Sequence, residues 1–224
     1  MGIDYEAARV KMVDRQIRTT DVQSYAVLDA FLAVPREAFV PARFKQLAYI
    51  DNDIEIAEAG EGKPARYIME PSPLAKLMQL ANIEPDDVVL EIGCGTGYAA
   101  AIISQMAGSV VSLESEDDLA NTASDTLARL GYDNVAVVTG PLPEGHAEEA
   151  PYDVIFINGS VEVVPDAIFE QLREGGRLVC VEGSGNASRA RLYCKEDGAV
   201  AERAAFNTSV RPLPGFEKPE TFVF

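Results

Sequence analysis

The 224-residue chain has no tryptophan, one histidine and three cysteines, and its 19 Lys and Arg face 36 Asp and Glu, a formal net charge of -17. Each shortage excludes something. Cys94, Cys180 and Cys194 are odd in number and lack metal-ligand spacing, so the chain reads as a reduced, cytoplasmic protein with no metal site. His146 lies in the acidic stretch Pro143–Glu149, where a solvated loop residue is expected and not a catalytic one. No apolar run approaches the roughly 18 residues of a membrane helix. Residues 1–18 carry Asp4, Glu6, Arg9, Lys11, Asp14, Arg15 and Arg18, an amphipathic pattern foreign to a secretory leader. The scarcity of positive charge argues against a nucleic-acid partner, which requires many phosphates to be neutralised.

What is present suits a folded globule. Hydrophobic residues make up 47% and charged residues 25%. The length fits one large domain, or one with an appendage. Ala8, Val10, Met12, Val13 and Ile17 define one helix face, and a second helix is expected after Asp21 as N-cap, ending before Pro35. Residues 51–66, with Asp51, Asn52, Asp53, Gly60, Gly62 and Pro64, read as loop. A helix follows from about Pro73 to Asn82. The division expected is a helical cap with a substrate-side loop over 1–82, and a ligand-binding domain over 83–224, forming one compact unit.

From residue 87 the pattern alternates. Strands are expected at 88–92, 110–114, 134–138, 152–157 and 177–181, with helices at 98–107, 117–130 and 165–172. Such alternation indicates an α/β fold with a parallel sheet. Arg189 to Phe206 reads as two more strands about the Asp197-Gly198 turn.

The chemistry is concentrated in Glu91-Ile92-Gly93-Cys94-Gly95-Thr96-Gly97-Tyr98, which joins the first of these strands to its helix. Glycines there permit close approach of a ligand to the backbone, and the helix start offers unpaired N–H groups. Glu114 ends the next strand, where a carboxylate can accept hydrogen bonds from the two hydroxyls of a ribose. A dinucleotide fingerprint needs G-x-G-x-x-G; here glycine falls one place early, at Gly97. This spacing, with Glu91 before it, resembles methyltransferases that use S-adenosylmethionine. Cys94 is expected to be a small residue tolerated in the turn, and Glu116, Asp117 and Asp118 to favour the next helix N-terminus.

Other segments narrow the resemblance. Met12-Val13-Asp14-Arg15-Gln16-Ile17, Val34-Pro35-Arg36-Glu37-Ala38-Phe39-Val40-Pro41 and Gln171-Leu172-Arg173-Glu174-Gly175-Gly176 are similar to protein-L-isoaspartate O-methyltransferases, in the same order along the chain. The resemblance implies a Rossmann-like class I methyltransferase fold, with a mostly parallel seven-stranded sheet, helices on both faces and a helical N-terminal extension. It implies S-adenosylmethionine as cofactor, S-adenosylhomocysteine as product, and isoaspartyl proteins or peptides as substrate. The cofactor would be held by Glu91, Gly93, Cys94, Gly95, Thr96, Gly97, Glu114 and Ser115.

The substrate side departs from the family. A Thr-Ile-Ser motif, followed by one further residue and Pro, places a hydroxyl beside the reacting groups in family members. Here that run is Tyr67-Ile68-Met69-Glu70-Pro71. A thioether cannot donate a hydrogen bond to a carboxylate, and an inward Glu70 would repel one. Arg66, Lys63 or the Tyr67 hydroxyl are the candidates to compensate. Gly140-Pro141-Leu142 and Asn158-Gly159-Ser160 also differ from the family, and Val210-Arg211-Pro212-Leu213 echoes its C-terminal segment loosely. Three functions therefore stay open: isoaspartyl repair, methyl transfer to another acceptor, and a binding module that keeps the cofactor without transfer.

Overall fold

The structure is a computed structural model that describes residues 2–60, 62–183 and 185–218. Helix α1 (Tyr5–Met12) starts on Asp4, whose side chain accepts from the Ala7 N–H, and widens into a π turn over Val13–Ile17. Met12, Val13 and Ile17 face the core, whereas Val10 points outward. Helix α2 (Tyr25–Ala33) is capped by Ser24 and not by Asp21, which instead takes a left-handed conformation with φ 64°. Ser24 is the better-placed acceptor because its hydroxyl meets the Val27 N–H at the first turn.

The segment expected to be loop contains two short strands, β1 (Ile54–Ala57) and β2 (Arg66–Ile68), paired antiparallel as a small separate sheet. Helix α3 (Pro71–Ala81) begins with Pro71 in its first turn, where the missing N–H costs nothing. Asp51 caps it from a distance, accepting from the Ser72 N–H and hydroxyl.

The main sheet is built from β3 (Val88–Ile92), β4 (Ser109–Glu114), β5 (Val135–Thr139), β6 (Tyr152–Val161), β7 (Leu172–Glu182), β8 (Arg189–Glu196) and β9 (Ala199–Asn207). Its order is β5-β4-β3-β6-β7-β8-β9. The first five strands in this order run parallel, β8 runs against them and β9 is antiparallel to β8, so the hairpin expected near Asp197-Gly198 continues the sheet outward. Helices α4 (Tyr98–Ser104), α5 (Asp117–Leu130) and α6 (Asp166–Glu170) are the crossovers. Both α4 and α6 are shorter than expected.

Alternation along β3 divides the interior. Val89 joins one cluster with α2, α3 and α4; Leu90 and Ile92 join the other with Ile168 and Leu213. The first cluster runs without a break from Met12, Phe31 and Met78 to Val154 and Val179. Cap and sheet thus share one core. Phe31 is fully buried and packs edge-on against Tyr98 of α4. Phe31→Ala is expected to destabilise the protein by about 3–5 kcal/mol. Circular dichroism and tyrosine fluorescence in urea should still report one coincident transition; separate transitions would show that cap and sheet fold independently.

Candidate functional site

Strand β3 has β4 on one side and β6 on the other, and the chain reverses its direction of travel there. Ligands of open α/β sheets bind in the crevice outside the strand ends at such a point. The segment Gly93–Gly97 crosses it. Gly93, Gly95 and Gly97 have φ of 87°, 57° and 91°. Close approach constrains two of them as well. A Cβ on Gly93 would stand 2.7 Å from Leu213 Cδ2, and one on Gly95 would stand 2.7 Å from Ile56 Cδ1. Sequence reasoning assigned this closeness to a ligand; here side chains of β1 and of the C-terminal segment come close.

Glu114 ends β4 with no exposure, as the strand register requires. Both its oxygens are taken by Arg66 of β2: Nη1 donates to Oε1 at 2.6 Å and Nη2 to Oε2 at 2.8 Å. The Gly95 N–H also donates to Oε2 at 2.8 Å, and the Ser115 N–H to Oε1 at 2.8 Å. Burial alone would lower the pKa of Arg66, but its hydrogen bond to Glu114 and the charges of Glu114 and Glu116 raise it instead. Lys63, a second compensating candidate, pairs with Glu116 at 3.7 Å. Glu116 thus serves these cations, while Asp117 and Asp118 do occupy the first turn of α5.

Glu91 is also fully buried, one strand over. It accepts from Ser112 Oγ at 2.9 Å and from Asn158 Nδ2 at 3.0 Å. Burial pushes its carboxyl up to about 7, against the pull of these two hydrogen bonds. Cys94 is buried, and burial with the charges of Glu91 and Glu114 raises its thiol well above the usual value, so it is not a nucleophile. Thr96 turns away from the crevice: its hydroxyl donates to the Phe39 carbonyl at 2.7 Å and ties the turn to the cap.

On the substrate side, Arg66, Tyr67, Met69, Asn158, Arg211 and Leu213 enclose a cavity of about 10 Å³, hardly the volume that one water requires. Met69 is buried, and its carbonyl accepts from Arg36 Nη2 at 2.9 Å. Arg36 is itself fully buried against the Tyr98 ring, 4.6 Å from its centroid. Glu70 does not line the cavity. Its N–H donates to Asp53 Oδ1 at 3.1 Å, and burial, then the charges of Asp53 and Asp51, raise its carboxyl pKa. The charge of Glu70 is therefore absent from the cavity wall, where the carboxylate of Asp53, paired with Arg211, stands instead. His146 is held in its loop through its backbone, by Gln171 and Tyr152.

Sequence reasoning missed Asp53, Ile56, Arg211 and Leu213 as neighbours of this site. Asp53 sat among turn residues and Arg211 in a segment only loosely like the family. What brings the C-terminal segment here is backbone pairing: the Ser160 N–H donates to the Arg211 carbonyl and the Leu213 N–H to the Ser160 carbonyl, each at 2.9 Å. Among the described residues no cluster of three or more metal-binding side chains occurs, and no helix is long and apolar enough to cross a membrane.

Two measurements test this electrostatic reading. Arg66→Met leaves a buried carboxylate without its counter-ion and is expected to cost about 3–5 kcal/mol in urea denaturation. Adding Glu114→Gln should recover most of that loss; no recovery would mean that the pair is not the source. Glu91 ionises near 4.5 ordinarily and near 7 here. The folded state therefore holds its proton across that interval. The stability this gives is full below 4.5 and is lost as pH rises through 7. Between pH 6 and 8 the wild type should lose about 1 kcal/mol relative to Glu91→Gln, read from paired melts; parallel pH profiles would contradict a protonated Glu91.

Comparison with known proteins places this geometry. Residues 7–216 match the family described as Protein-L-isoaspartate(D-aspartate) O-methyltransferase (PCMT). The chain is 37% identical over 207 residues to the Protein-L-isoaspartate O-methyltransferase of Koribacter versatilis, covering 92% of this chain and 90% of that one. It is 35% identical over 210 residues to the protein of the same name from Gloeobacter violaceus, covering 93% and 99%. Among solved structures, a protein-L-isoaspartate O-methyltransferase superposes with a TM-score of 0.80 at 31% identity, over 92% of this chain and 66% of the longer one. A putative enzyme of that kind from Plasmodium falciparum, in complex with S-adenosyl-L-homocysteine, shares the fold with a TM-score of 0.75 at 19% identity, over 94% and 98%.

Proposed function

This chain belongs to the protein-L-isoaspartate(D-aspartate) O-methyltransferase family, and from that premise we infer that it is an S-adenosylmethionine-dependent enzyme that methylates the carboxyl group of L-isoaspartyl residues in damaged proteins. The observation that carries the reading is the placement of Gly93–Gly97 and Glu114 at the switch point of the sheet, in a chain similar to its relatives almost end to end.

The residues fit the cofactor. Glu114 would accept from the ribose hydroxyls, and Gly93, Cys94, Gly95, Thr96 and Gly97, with Ser115 beyond the carboxylate, would line the crevice through their backbone. Glu91 sits beneath the turn, where a cationic ligand favours its ionised form. Arg66, Ile56 and Leu213 occupy the approach and would have to yield. Leu213 has room to do so, because it also borders a cavity of about 180 Å³ on its other side.

When bound, S-adenosylmethionine supplies an electrophilic methyl group. The acceptor needs no general base, since a carboxylate with a pKa of about 4 is ionised at neutral pH and is itself the nucleophile. The chain's contribution is placement and exclusion of water. Met69 and Leu213 give the cavity an apolar wall, and Asn158 joins it to Glu91. No catalytic histidine is needed, in keeping with His146 lying in a loop held by its own backbone. The methyl ester of an isoaspartyl residue can then cyclise, as the following backbone nitrogen displaces methanol to form a succinimide, and water can reopen that ring to aspartate.

One observation favours a second reading. Met69, which the resemblance sets at the family's hydroxyl position, lines the cavity and cannot donate a hydrogen bond to the acceptor. A family member altered in this way would bind the cofactor and methylate another acceptor, or none. One assay separates the readings. The protein is incubated with labelled S-adenosylmethionine and an isoaspartyl peptide, with the matching aspartyl peptide as control. Selective, base-labile incorporation into the isoaspartyl peptide is expected. Cofactor binding in calorimetry without transfer to either peptide would overturn the repair reading.

A further inference from the structure

If the acceptor is a carboxylate, the site must provide it with a positive charge or with donors, because an anion leaving water loses its hydration. The wall of the small cavity is poor in suitable groups. Met69 offers no donor, and Asn158 Nδ2 gives one of its two hydrogens to Glu91. Two cations line it among the described residues, Arg66 and Arg211. Arg66 has both terminal nitrogens on Glu114, with a further contact to Glu116 at 3.4 Å.

Arg211 differs. Its Nε donates to Asp53 Oδ2 at 2.9 Å, while its terminal nitrogens make no hydrogen bond to the described residues. The guanidinium lies over the Tyr67 ring, 4.6 Å from the centroid, and the side chain is 57% exposed. Its backbone is fixed, since its carbonyl accepts from the Ser160 N–H at the end of β6. The next residue but one, Leu213, rests on Gly93 of the glycine turn. The result is an oriented fork with free donors, half in solvent, on the wall of a cavity that Leu213 connects to the turn. A guanidinium so presented matches the two oxygens of a carboxylate, and stacking on an aromatic ring reduces the freedom it loses on binding.

We propose that Arg211 receives the carboxylate of the incoming acceptor and makes the site specific for an anionic group. Asp53 holds the guanidinium in place through Nε, and Tyr67 supports it from below. Arg211 thus supplies a charged donor on a wall where Met69 offers none. The proposal rests on the methyltransferase reading of the same site, and it concerns binding and not the transfer step.

The test uses the full chain with S-adenosylhomocysteine bound, an isoaspartyl hexapeptide, and the same peptide with the free α-carboxyl of its isoaspartyl residue converted to an amide. Peptide affinity is measured by calorimetry, and KM and kcat with S-adenosylmethionine in parallel. Arg211→Met keeps the stem that packs on Tyr67 and removes the charge. It is expected to weaken the acidic peptide roughly 10- to 100-fold, the effect of losing a hydrogen-bonded charge partner. It should raise KM similarly, leave kcat and S-adenosylhomocysteine affinity within about threefold, and leave the weak amide peptide unchanged. Arg211→Lys should recover part of the loss. If the wild type methylates the isoaspartyl peptide and Arg211→Met has the same KM and peptide affinity, the proposal fails and the repair reading stands. If the wild type transfers no methyl but binds the acidic peptide through Arg211, the repair reading fails and the proposal stands. If the acidic peptide does not bind at all, both fall. An equal loss for both peptides would show a merely structural residue and overturn the proposal.

Discussion

The carboxylate of Glu114 organises the centre of this molecule. A charged oxygen pair with no solvent exposure costs several kcal/mol unless donors replace its water. The fold supplies them from three directions. Arg66 comes from the β1–β2 sheet, the Gly95 N–H from the turn, and the Ser115 and Glu116 N–H groups from the start of α5. Because the donors belong to separate segments, satisfying one anion fixes the position of all three. The turn cannot relax without exposing Glu114, and the small sheet cannot lift without leaving a buried charge.

This explains why the crevice is narrow. A polar anchor and two apolar contacts close it: Arg66 on Glu114, Ile56 over Gly95 and Leu213 over Gly93. The groups that would recognise a ribose are the groups that the chain satisfies internally. On the proposed function, binding would be an exchange of partners at Glu114, and the affinity for a cofactor would be reduced by the stability of the ion pair it replaces. The cap has a part in this exchange. Arg36 holds the Met69 carbonyl from below and Thr96 binds Phe39, so the cap supports both the β2 segment and the glycine turn.

Much of this could be read from the sequence, and the limit has a physical form. Val88–Ile92, the glycines and the following helix were legible because each rests on local periodicity and on residues a few places apart. Glu91 and Glu114 were legible as strand-end carboxylates for the same reason. The pairing of Arg66 with Glu114 spans 48 positions, and nothing local in Arg66 announces it. The β1–β2 sheet was hidden because its strands are only four and three residues long and lie in a run of turn-forming residues. Asp21 was expected as a cap, and residue type does not separate it from Ser24; the difference lies in backbone conformation, which composition does not carry. Arg211 reaches the site through pairing with Ser160, again a long-range contact.

The net charge of -17 bears on the acceptor more than on the cofactor. The field of an acidic protein attracts a cationic ligand and repels an anionic peptide. At physiological salt that repulsion is largely screened beyond about 8 Å. Inside that distance local groups decide, and the chain has gathered guanidinium groups there. Arg36 and Arg66 are buried and committed, the first beneath Met69 and the second to Glu114, so they set the structure and not the encounter. The remaining guanidinium at the cavity, that of Arg211, is in contact with solvent and is balanced by one carboxylate through one of its nitrogens. An acidic enzyme can take an anionic substrate provided that such a cation lies within the screened distance and is held where the acceptor must dock. Repulsion from the rest of the surface then lowers the encounter rate for every anion alike, while discrimination falls to the guanidinium at the cavity wall.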